Sequence, residues 1–189
     1  MPLLSGAASA SVLPRSGSVH ISTEQIEAIA PTSSSCDSPP SPGECATAEQ
    51  AAKNIAASFE TYRVTSLAEQ AAVIGLMAFE SGDFKYNRNH YPGVPGQGTS
   101  IPDIADKLAQ VGSDPAGVLD ILLNDEAYDF GSGAWFLTTQ CTQHVRTQLQ
   151  SGSEAGWAAY ISSCVGTGAN EARKAYWTRA VQALRAQGY

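Results

Sequence analysis

The stretch Ser66 to Ser100, SLAEQAAVIGLMAFESGDFKYNRNHYPGVPGQGTS, decides how the rest of the chain is read. Ser66 and Glu69 have capping-box spacing, so a helix start is marked. From Ala71 to Phe79 no polar side chain appears: Ala71, Ala72, Val73, Ile74, Gly75, Leu76, Met77, Ala78, Phe79. A helix that is apolar all round is buried, and this run is too short to cross a membrane. It therefore predicts the central helix of a compact domain. Ser81-Gly82 supplies the stop, with Gly82 as a left-handed cap. Glu80 ends the helix, where lost hydration and the negative end of the helix dipole both disfavour a charged carboxylate, with Lys85 and Arg88 acting the other way. Those are the conditions for a general acid. The competing reading is a helix-terminal glutamate facing water.

The loop that follows is rich in amides, aromatics and glycines. Amides bond hydroxyls and N-acetyl groups, aromatic faces pack on sugar rings, and glycines let backbone approach a ligand. Asn87, Asn89, His90, Tyr91, Gln97 and Thr99 are the substrate-binding candidates of a polar groove, against the reading of an ordinary surface loop.

The string Phe79-Glu80-Ser81-Gly82-Asp83-Phe84-Lys85-Tyr86-Asn87, with Pro95-Gly96-Gln97-Gly98-Thr99, resembles secreted fungal muramidases of the lysozyme-like superfamily, relatives of goose-type lysozymes and soluble lytic transglycosylases. The resemblance runs from about Ala46 to the C-terminus. It implies a mainly α (α+β, lysozyme-like) domain around a buried central helix, with a loop or short hairpin lining a groove. It also implies cleavage of the β-1,4 linkage between N-acetylmuramic acid and N-acetylglucosamine in peptidoglycan, with Glu80 as the acid. Asp83, Asp129, or the substrate itself with a positioned water stands as the second group. Tyr160 falls where transglycosylases carry a tyrosine near the acid, with a plain core tyrosine as the competing reading. Ile101-Pro102-Asp103 departs from the Met-Gln pair usual in transglycosylases. The alternatives are a hydrolase of chitin or chitosan, a non-catalytic secreted glycan-binding protein, and a small structural or defence protein.

The 189 residues, 43% hydrophobic and 15% charged, fit one globular unit. The expected division is an N-terminal extension over 1–44 and a catalytic domain over 45–189. Met1 to Arg15 reads as a signal-peptide remnant or a mature extension. A net charge of −7 argues against nucleic acid as a partner, and no apolar run is long enough to span a membrane. The expected partner is peptidoglycan or a related amino-sugar polysaccharide, met by a secreted monomer. Cys36, Cys45, Cys141 and Cys164 allow three pairings, of which local closure favours Cys36–Cys45 and Cys141–Cys164. No metal and no cofactor is expected: there are three histidines, no His-Glu-x-x-His, and no calcium-loop spacing in Asn124–Gly131. Helices are also expected over Thr47–Arg63, Ser100–Val111, Pro115–Leu123, from Phe130 to Gln150, up to Cys164, and over Asn170–Ala186. Arg173, Lys174, Arg179 and Arg185 are expected on the outer, solvated face of the last of these.

Overall fold

A computed structural model describes residues 19–88, 90 and 114–186. Among them the fold is mainly α and contains no strand, so no hairpin lines a groove within the described residues. The expected helix over Ser100–Val111 and the reading of Met1–Arg15 lie outside them. Helices α1 (Thr23–Ile29) and α2 (Ala48–Thr61) begin at reciprocal capping boxes, Ser22 with Gln25 and Thr47 with Gln50. After α3 (Leu67–Glu80), Asp114 caps α4 (Pro115–Leu123), and Asp125 caps α5 (Glu126–Thr139). The single helix expected from Phe130 to Gln150 is two. The Thr142 hydroxyl accepts from Val145 N and starts α6 (Gln143–Gln150), while Cys141 at the corner is pinned to Cys164. Then come α7 (Glu154–Ala159), a π-helical segment (Tyr160–Val165) and α8 (Glu171–Arg185).

Most of the apolar run buries, with Leu76, Met77 and Phe79 half-buried. Ala71, Ala72, Val73, Ile74 and Ala78 are at most 1% exposed, and α3 packs against α1, α5, α6 and α8. Its closest neighbour is α8. A Cβ on Gly75 would stand 3.0 Å from both the backbone nitrogen and the Cα of Trp177, so only a missing side chain lets these two backbones meet. Trp177 then stacks on Trp157 of α7, with ring centroids 5.2 Å apart. Ile21, Ile26 and Ile29 lie in this same core, and Gln25 Nε2 donates to the Ala183 carbonyl of α8 at 3.1 Å. Residues from both sides of the expected 1–44/45–189 division thus share one core.

One sequence signal had a different use. Ser66 makes no side-chain cap, and Glu69 is 1% exposed, accepting from Arg146 Nε of α6 at 2.8 Å. The carboxylate still sits in the first turn of α3, where the helix dipole favours it. Its partner, however, comes from a helix 77 residues away in sequence.

Gly75→Val should lower unfolding stability by about 3 kcal/mol, because the intruding side chain meets backbone that cannot rotate aside. Arg146→Ala should cost about 3 kcal/mol by leaving Glu69 buried without its cation, and Glu69→Leu combined with Arg146→Met should recover most of that. Urea denaturation followed by circular dichroism checks both.

Candidate functional site

The chain turns sharply at the end of α3, through three successive left-handed residues: Gly82 (φ 58°), Asp83 (φ 61°) and Phe84 (φ 63°). Glycine adopts this conformation freely; an L-residue with a Cβ does so at about 1–2 kcal/mol. What holds Asp83 there is its carboxylate. One oxygen accepts from Thr32 N at 3.0 Å and Thr32 Oγ1 at 2.8 Å, and the other accepts from Tyr176 OH at 2.7 Å. Phe84 is held by burial against Phe130 and by its N–H on Ser81 Oγ. Burial, then the hydrogen bond to Asp83 and its charge, push the Tyr176 phenol above its ordinary value. The turn, the end of α1 and the face of α8 are therefore tied at one buried carboxylate.

Glu80 lies beside this junction. Its side chain is 49% exposed, and Oε1 accepts from both Nε and an outer guanidinium nitrogen of Arg173 at 2.8 Å. Arg173 also covers the Phe79 ring, 4.9 Å from its centroid, and donates to the Gly168 carbonyl. Phe79 meets Tyr176 edge-on, and Arg179 sits 4.0 Å over Tyr176 while donating to the Ile29 carbonyl.

On the other side, the loop between α1 and α2 carries Glu44. Its carboxylate accepts from Ser41 Oγ, from the backbone N–H groups of Asn87 and Arg88, and pairs with His90 Nε2 at 2.9 Å. Burial acts to raise its pKa, but the bonds from Ser41, His90 and Asn87 together hold it below the ordinary value. Both favoured disulfides, Cys36–Cys45 and Cys141–Cys164, are present.

The structure brings Glu80, Asp83, Asn87 and His90 to one end of α3, but not in the roles expected of them. Glu80 is neither dry nor alone, because Arg173, expected on a solvated face, folds in to meet it with its side chain only 15% exposed. Asp83 is buried, with each carboxylate oxygen already engaged. Tyr160 is 2% exposed, burial pushes its phenol above the ordinary value, and it takes no part in the junction's hydrogen bonds. Asn87 Oδ1 is buried without a hydrogen-bond partner, and His90 faces Glu44. Asn89, Tyr91, Gln97 and Thr99 lie outside the described residues. Sequence reasoning missed Thr32, Glu44, Arg173 and Tyr176 as members of the junction. Only Tyr176 carried a signal, as an aromatic on the inner face of the last helix. No group of three or more His, Cys, Asp or Glu side chains is arranged for a metal among the described residues.

A second acid stands apart, on the first turn of α5. Asp129 is pushed up to about 6, first by burial and then by the charge of Glu126, which is itself held by Gln50 and Asn54 of α2. A carboxyl raised in the folded state stabilises the fold while protonated. That contribution is fully present below 3.8 and is lost as pH rises from there to about 6. Asp129→Asn should flatten the fall in stability across that interval and leave the variant about 2 kcal/mol more stable than wild type at neutral pH. Urea midpoints taken from pH 4 to pH 7 read this directly.

No protein-family model and no solved structure matches the chain. It is similar to a protein of Fusarium oxysporum (strain Fo5176) described as a bifunctional dioxygenase (DOX)-epoxy alcohol synthase (EAS), with 43% identity over 156 residues. The match takes in 71% of this chain but spans only 12% of that relative's length. It overturns the muramidase resemblance and what followed from it: glycoside hydrolysis, chitin or chitosan as the alternative, glycan binding, and peptidoglycan as partner. The relative's description names oxygenation and epoxy alcohol formation. Of the two strings behind the resemblance, Phe79–Asn87 is accounted for by packing, since its glutamate pairs with Arg173 and its aspartate holds a strained turn, and Pro95–Thr99 lies outside the described residues.

Proposed function

We propose that this chain is a disulfide-stapled helical module serving dioxygenase and epoxy alcohol synthase chemistry. The observation that carries the reading is the 43% identity over 156 residues to the bifunctional relative. Because that match is a small fraction of the relative's length, a supporting module is the economical role for it. The junction's geometry agrees. Glu80, Asp83 and Glu44 are each engaged by donors of the protein itself, as suits a surface that holds shape. Oxygenation of a compound with carbon–carbon double bonds is the direct route to an epoxide beside an alcohol, so the substrate class we propose is an unsaturated compound with dioxygen as the oxygen source. The two disulfides support a secreted protein or one of an oxidising compartment.

The test uses the Fusarium relative in three forms: intact, with its matching segment deleted, and with that segment replaced by this chain. Oxygen uptake with linoleic acid as the alkene probe and epoxy alcohol yield by mass spectrometry are the readouts. Deletion should lower at least one activity about tenfold, a barrier change of about 1.4 kcal/mol, and replacement should restore most of it. Full activity after deletion, or a folded but inactive replacement, would overturn the proposal.

A further inference from the structure

The Cys36–Cys45 disulfide has an unusual neighbour. Lys85 Nζ lies 3.8 Å from Cys45 Sγ, held there by donating to the Ser35 carbonyl at 2.6 Å. Lys85 belongs to the turn after α3, so the junction brings its backbone here while the Ser35 carbonyl, next to Cys36, fixes its ammonium. The two sulfurs of this bond are inequivalent: the hydrogen-bond contact from the ammonium falls on Cys45 Sγ. Both cysteines are half-buried, whereas in the second disulfide Cys164 is half-buried but Cys141, the sulfur that would have to leave, is buried at 8% exposure. The loop ends are also tied independently of the sulfurs. Ala48 N donates to Ser33 O at 2.8 Å and Ala46 N to Phe84 O at 2.9 Å, so opening the bond leaves its halves close together.

From these contacts we infer that Cys36–Cys45 is a thiol-exchange site, modified at Cys36 by a low-molecular-weight thiol. The attacking thiolate forms a new bond to Cys36 Sγ. The Cys36–Cys45 bond breaks, and its electron pair leaves on Cys45 Sγ as a thiolate facing the Lys85 ammonium. In reverse, the Cys45 thiolate attacks Cys36 Sγ, expels the small thiol and restores the original bond, with no net oxidation or reduction in either direction. Exchange is faster when the leaving sulfur is better stabilised as a thiolate, and a nearby cation provides that stabilisation. The same contact therefore selects which sulfur is attacked and which one leaves.

The test treats the full chain with reduced glutathione and, separately, with 2-mercaptoethanol, an uncharged thiol. Reactions are quenched with N-ethylmaleimide, and the adducts are mapped by mass spectrometry. The mixed disulfide should lie on Cys36 with the maleimide on Cys45, and Cys141–Cys164 should remain intact over the same interval. Lys85→Gln keeps a donor for Ser35 O without the charge and should slow exchange with both reagents about tenfold, while Lys85→Arg should restore most of the rate. Adducts chiefly on Cys45, equal reactivity of the two disulfides, or an unchanged rate in Lys85→Gln would overturn the assignment. Slowing with glutathione alone would overturn it as well, since that outcome reports only attraction of an anionic reagent.

Discussion

The contact between the backbones of α3 and α8 at Gly75 is the constraint on which the rest of the structure depends. Two helices can come this close only where a side chain is missing, and here the missing atom would fall against Trp177 backbone. That approach fixes the rotation of α8 about its axis. Trp177, Ala180 and Leu184 turn inward, Trp177 stacks on Trp157, and Tyr176 swings towards the end of α3. The same rotation brings Arg173 over Phe79 and onto Glu80. A helix that reads from its charges as having a solvated basic face thus delivers two arginines into contacts with aromatic rings.

Around that contact the charged groups act as ties between distant segments. Glu69 and Arg146 join α3 to α6, Asp83 joins the turn to Thr32 and Tyr176, and Glu44 joins the first loop to Asn87, Arg88 and His90. Each carboxylate meets donors from other elements, which is what a desolvated acid requires. For Asp83 these bonds also offset the left-handed backbone that would otherwise relax. The junction is therefore stiff for an electrostatic reason, and it is this stiffness that sets Lys85 beside the Cys36–Cys45 bond.

The same stiffness explains why a short motif misled. A glutamate ending a buried helix, followed by Ser-Gly-Asp, has the local features of an acid in a sugar groove. Those features say nothing about what arrives from α8, and Arg173 decides the site. The likeness to the dioxygenase–epoxy alcohol synthase covers 71% of the chain, while the muramidase resemblance had its specific part in the segment from Glu80 to Thr99.

Local chemistry made much of the fold legible in the sequence. The capping boxes at Ser22 and Thr47, the caps at Asp114 and Asp125, the burial of Ala71–Gly75 and Ala78, the left-handed Gly82 and both disulfide pairings follow from neighbours within a few turns of chain or from loop closure. Tertiary structure alone decided the candidate site: that Glu69 serves Arg146 and not a cap, that Arg173 claims Glu80, that Thr32 and Tyr176 hold Asp83, and that Lys85 stands at Cys45. These partners lie between 40 and 93 residues apart. Sequence periodicity reports the environment of a helix face but not which helix will cover it, and that choice falls to packing at Gly75 and Trp177.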